Sequence, residues 1–125
     1  MDGTSITVLV ADTTSVVREG FRVLLESFGM RVVGRASSVE QSVAELARLR
    51  PDAIVLNVTI EDVEATIGAL RQASPGSALI TYAGFGGDQP PDETLWSRAD
   101  AHVSMTHTRT EMVETIRRAV ALRQA

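Results

Sequence analysis

Short β-branched apolar runs alternate with segments of helical periodicity along the whole chain, and this alternation restricts the fold more than any other feature. Ile6-Thr7-Val8-Leu9-Val10-Ala11 is almost continuously apolar, as a strand buried on both faces must be. Arg31–Ala36, 53–57, Ala78–Tyr82 and Ala101–Met105 read as four further strands. Between them lie expected helices at about Ser15–Phe28, Val39–Leu49, Glu61–Ala73 and Asp92–Arg98, with a last helix from Thr108 or Arg109. Strands that alternate with helices require a parallel sheet covered on both faces. Right-handed crossovers then select a doubly wound, flavodoxin-like α/β fold with strand order 2-1-3-4-5.

The punctuation agrees with this reading. Gly29 stops the first helix, and Ser38 is the expected N-cap of the second, with Gln41 in its first turn. Pro51-Asp52 opens the third strand, and Ser74-Pro75-Gly76 ends the third helix. Val16, Val17, Val23, Leu24 and Phe28 are the apolar residues of the first helix. Met112, Val113, Ile116, Val120 and Leu122 are those of the last. The chain is expected to be one domain, residues 1–125, with any effector domain lying downstream of it.

Composition removes several function classes. There is no cysteine, so disulfides, thiol catalysis and zinc-thiolate sites are excluded. The net charge of −4 argues against direct nucleic-acid contact, which uses a basic face. No apolar run is long enough to span a bilayer, and the N-terminus is no signal peptide, so no membrane partner and a cytoplasmic location are expected. All 12 cationic side chains are Arg, so no chemistry can rest on a lysine ammonium. Gly84-Phe85-Gly86-Gly87 has neither dinucleotide-binding nor P-loop spacing.

In a sheet of this order the functional crevice lies beyond the C-terminal strand ends, at Asp12-Thr13, Asn57, Ala83 and Met105. Val8-Leu9-Val10-Ala11-Asp12 with Val17-Arg18-Glu19-Gly20-Phe21-Arg22-Val23-Leu24-Leu25 is similar to the first strand and helix of response-regulator receiver domains, particularly the LuxR/NarL type. Pro51-Asp52-Ala53-Ile54-Val55-Leu56 resembles their third strand. Arg98-Ala99-Asp100-Ala101-His102-Val103 resembles their approach to the fifth, and Glu111–Val120 their terminal helix. The resemblance covers nearly the whole chain.

The reactive set that the resemblance implies is not retained. Receivers hold Mg²⁺ with an acidic pair after the first strand, and here Asp12 is followed by Thr13. The phosphoacceptor position is Asn57, whose neutral carboxamide is a poor nucleophile and forms no acyl phosphate. The hydroxyl position falls on Ala83, at the family's spacing before Ala99, and the lysine position falls on Met105. The loop after Asn57 is shorter than the family's. One carboxylate is a poor site for a cation that prefers several hard oxygens, so no metal and no cofactor is expected.

These departures point to a pseudo-receiver: a phosphorylation-independent regulatory domain, not an enzyme, acting through protein contacts in transcription control. A downstream helix-turn-helix domain is the partner the resemblance implies. Self-association is expected through the face built from the fourth helix, fifth strand and last helix. Trp96, Val103 and Val113 would form its apolar centre, and Arg98, Asp100, His102, Glu114, Arg117 and Arg118 its polar rim. Two other classes stay open. One is a stand-alone adaptor or small-molecule sensor. The other is a nucleotide- or flavin-binding enzyme that uses the hydroxyl-rich Thr13-Thr14-Ser15 at a helix N-terminus.

Overall fold

The computed structural model describes residues 5–12, 14–57, 63–82, 99–103 and 108–124. The strands are β1 (Thr7–Ala11), β2 (Arg31–Ala36), β3 (Ala53–Asn57), β4 (Ala78–Tyr82) and β5 (Ala101–Val103). The helices are α1 (Ser15–Ser27), α2 (Val39–Leu49), α3 (Val63–Ala73) and α4 (Arg109–Gln124). The short helix expected near Asp92–Arg98 lies outside the described residues. The strands form one parallel sheet in the order β2-β1-β3-β4-β5, as the alternation requires.

Period-two alternation along the strands divides the interior into two layers. Val8, Val10, Val55, Ile80 and Tyr82 pack with Phe21 and Leu25 of α1 and with Met112, Val113 and Ile116 of α4. Leu9, Ala11, Ile54, Leu56 and Leu79 pack on the opposite face with Leu46 of α2 and Ile67 and Leu70 of α3. β1, β3 and β4 are buried on both faces, which accounts for their near-continuous apolar sequences.

The expected helix ends are present. The Ser38 hydroxyl accepts from the Gln41 amide at 3.1 Å, and Gln41 reaches back to accept from the Ser37 amide at 2.8 Å. Thr108 and Glu111 form a reciprocal capping box at the start of α4, with bonds of 3.1 and 2.8 Å. Gly29, at φ 87°, terminates α1 while the Met30 amide donates to the Leu25 carbonyl.

Three apolar assignments are corrected. Val16, Val23 and Leu122 are 76%, 56% and 72% exposed. The buried face of α1 is set by Phe21 and Leu25, one turn apart, with Val17, Leu24 and Phe28 beside them. Val16 and Val23 fall on the opposite side of that helix. In α4 the face is Met112, Val113, Ile116, Ala119 and Val120, which leaves Leu122 facing solvent.

Candidate functional site

Three residues meet in one row at the C-terminal edge of the sheet. Asp12 directly follows β1, Asn57 ends β3 and Tyr82 ends β4. β1 and β3 pair Ala11 with Leu56, which puts the next residues, Asp12 and Asn57, side by side; β3 and β4 pair Asn57 with Tyr82. Strand alternation turns all three toward the side covered by α1 and α4.

The Asp12 carboxylate is 2% exposed and is held by neutral donors. Its Oδ1 accepts from the Thr14 amide at 2.7 Å. Its Oδ2 accepts from Asn57 Nδ2 at 2.8 Å and also from the Tyr82 hydroxyl. The Arg18 guanidinium donates at 2.6 Å to the Asp12 backbone carbonyl, which pins the strand end to α1. Tyr82 packs its ring on Phe21, with centroids 4.6 Å apart at 54°. Burial pushes the Tyr82 phenol well above its ordinary range; the hydrogen bond and charge of Asp12 push the same way, and Arg18 opposes them.

Among the described residues the arrangement is a hydrogen-bonded network centred on Asp12. Every donor around Asp12 is an N–H or O–H that satisfies a carboxylate oxygen, so the carboxylate is stabilised without a cation. A divalent ion would need those same lone pairs together with further anionic oxygens. Among the described residues no group of three acidic or histidine side chains could supply them. The residues here do not fit Mg²⁺. Asn57 is 7% exposed, and its carboxamide is engaged as a donor to Asp12.

Asp52 is the other carboxylate of the β3 region, and it belongs to the opposite end of the sheet. Its Oδ2 accepts from the Thr7 amide at 2.9 Å, and its Oδ1 accepts from Gln124 at 2.9 Å. It lies five positions before Asn57 along extended chain, about 16 Å away. It ties β1, β3 and α4 together and does not reach the crevice.

The sequence-expected site residues separate into several groups. Asp12 and Asn57 are brought together, while Thr13, Ala83 and Met105 lie outside the described residues. Of the expected interface, Trp96 and Arg98 also lie outside them. Val103 and Val113 are corrected: they are 1% and 0% exposed within the core and supply no surface. Asp100 is exposed, and its carboxylate is engaged within the chain. Its Oδ2 accepts from the Leu79 amide at 2.7 Å and from Arg71 at 3.2 Å, and Arg123 approaches at 3.7 Å, so it anchors the entry to β5. His102 is half-buried, with Nδ1 2.8 Å from the Thr81 hydroxyl. Arg117 bonds Glu114 at 2.9 Å and the Phe28 carbonyl at 3.0 Å, so it clamps α4 to the end of α1. Glu114 and Arg118 face solvent.

Tyr82 joins the site without being among the residues expected there. The available signal was its position, at the end of a strand in register with Asn57. It closes the expected strand Ala78–Tyr82 and is the only tyrosine in the chain.

A five-stranded 2-1-3-4-5 sheet with an acidic residue at the end of β1 defines a flavodoxin-like fold of the receiver class. No family model matches the chain. The chain is 32% identical over 116 residues to the response regulator GacA of Pseudomonas viridiflava, a match covering 90% of this chain and 54% of that protein. It therefore spans about half the length of the curated relatives it matches first. A two-component response regulator of the LuxR family from Aurantimonas superposes with a TM-score of 0.80 at 21% identity, covering 94% of this chain and 86% of that one. The receiver domain of the putative response regulator NarL from Mycobacterium tuberculosis superposes at 0.77 and 19% identity, covering 95% and 98%. The chain has the fold of a response-regulator receiver (CheY-like) domain and is similar to response regulators over 90% of its length. Receiver domains are the regulatory modules of two-component signalling. None of the helices among the described residues is long and apolar enough to cross a membrane.

Proposed function

We propose that this domain is a degenerate receiver that regulates without aspartyl phosphorylation. The observation that carries the reading is the bond from Asn57 Nδ2 to Asp12 Oδ2 at 2.8 Å. The side chain at the acceptor position is a neutral donor, and the carboxylate beside it is already satisfied. An acyl phosphate requires a carboxylate oxygen as nucleophile, and a carboxamide does not provide one. Tyr82 supports the same reading, because its hydroxyl occupies the Asp12 oxygen that a cation would need.

The output is protein contact, in a cytoplasmic regulator whose downstream portion binds DNA and controls transcription. The half-length match to GacA supports a second domain beyond this chain. Self-association, where it occurs, uses the exposed face of α4. Glu114, Arg118 and Leu122 lie there at i, i+4 and i+8, with Leu122 as the apolar centre in place of Val103 and Val113.

The test is to treat the domain with acetyl phosphate and Mg²⁺ and compare its amide NMR spectrum and light-scattering mass before and after. Both are expected to stay unchanged. A Mg²⁺-dependent shift of the amides around Asn57, or a change in mass, overturns the reading.

A further inference from the structure

The end of the molecule beside the acidic crevice carries a second concavity, between the start of α1, the end of β2 and the start of α2. It encloses about 440 Å³ and is lined by Ser15, Val16, Arg18, Glu19, Arg35, Ser37 and Gln41. That volume falls within the range of small-ligand pockets, but the lining is polar and charged, so an apolar ligand gains little there.

The charges of the lining point to the sign of the ligand. Two guanidiniums face one carboxylate, in a chain whose net charge is −4. Arg18 makes no ion pair among the described residues; its one bond there is to the Asp12 carbonyl at 2.6 Å. Arg35 meets Glu19 at 3.1 Å while its side chain stays 53% exposed. Glu19 does not neutralise it fully, because Arg22 holds the same carboxylate and draws its pKa below the ordinary value. The Ser15 hydroxyl adds a neutral donor, while that of Ser37 already donates to Gln41 Oε1 at 3.0 Å. No acidic residue stands in the first turn of α1 to compete for an incoming anion.

We propose that this cleft binds a phosphate-bearing small molecule through the guanidiniums of Arg18 and Arg35. A phosphate monoester suits the site better than a carboxylate does. Its dianion can take a planar guanidinium fork on each of two sides, which one carboxylate cannot do. The site is distinct from the Asp12–Asn57 crevice, and the proposal stands whether or not that crevice is phosphorylated. It also supplies an input to the fold. A ligand that draws on Arg18 acts on the residue whose other contact holds the Asp12 carbonyl, and so on the end of β1.

The test is an NMR titration of the labelled domain with inorganic phosphate and, separately, with adenosine monophosphate, at fixed ionic strength in chloride. Saturable movement of the Ser15, Val16, Ser37 and Gln41 amides is expected. Arg35→Gln is expected to weaken the affinity at least about tenfold. Arg31→Gln, on the exposed start of β2, is expected to leave it unchanged. Arg18→Gln should abolish binding, but it also removes the tie to Asp12, so Arg35→Gln carries the decision. Saturation with both probes means that free phosphate suffices, and saturation with the nucleotide alone means an esterified phosphate is required. Linear, unsaturated shifts with both probes, or equal affinity in Arg35→Gln, overturn the proposal.

Discussion

Asn57→Asp restores the family's carboxylate at the acceptor position, and the geometry gives the consequence for stability. The new oxygen would stand about where Asn57 Nδ2 is now, 2.8 Å from Asp12 Oδ2 in a buried site. Two full charges at that separation repel by about 6 kcal/mol at an effective dielectric constant of about 20. Protonating one carboxyl avoids this repulsion. From an unfolded pKa of about 3.9, holding a proton at pH 7 costs about 4 kcal/mol. Protonation is the cheaper route, so the pair shares one proton and its upper apparent pKa rises. The sign follows from linkage. The folded-state pKa lies above the unfolded value, so the variant is fully stable below about pH 4 and loses about 1.4 kcal/mol per pH unit above it. Urea unfolding followed by circular dichroism should show a deficit of about 4 kcal/mol at pH 7 that shrinks to about 1 kcal/mol or less near pH 4. A variant within about 1 kcal/mol of the parent at pH 7, or a deficit independent of pH, would refute the buried Asp12–Asn57 contact.

Tyr82 gives a spectroscopic prediction, because it is the only tyrosine. Its folded pKa is raised above the ordinary 10.0, so its contribution is complete below about pH 10 and is lost as the pH rises beyond that. No tyrosinate absorbance should develop above pH 10 until the domain unfolds, and Tyr82→Phe should flatten the alkaline fall in stability. Mg²⁺ at low millimolar concentration should leave the melting temperature unchanged, since an ion that binds the native state must raise it. A rise that disappears in Asp12→Ala would show a working metal site. Asp100→Ala should cost about 2–3 kcal/mol in urea unfolding, because it strands the Leu79 amide and leaves Arg71 and Arg123 facing each other without the carboxylate. A loss of self-association without loss of stability in that variant would assign Asp100 to an interface instead.

The architecture was legible because strand and helix periods differ and because β1, β3 and β4 are buried on both faces. Ser38 and Thr108 marked helix starts through a chemistry that is local in sequence. Packing phase was less legible. α1 carries valines on two sides, and only the docked helix shows that Phe21 and Leu25 choose the inner one. Val103 and Val113 were misplaced at an interface for the same reason, because an apolar residue beside charged neighbours reads alike in a core and in a contact patch. Asp12 and Asn57 were legible as a pair through strand order. Their bond to each other and the third partner, Tyr82, depend on side-chain reach across β3 and β4, which no spacing in the sequence encodes.

On the proposed reading, a receiver fold persists here without the phosphoryl switch. Intact-protein mass spectrometry tests it most directly, after incubation with acetyl phosphate, or with a cognate histidine kinase and ATP, in the presence of Mg²⁺. The expected result is an unchanged mass for the native domain, and for Asn57→Asp no efficient gain either. A stable, Mg²⁺-dependent addition of one phosphoryl group to the native domain would contradict it.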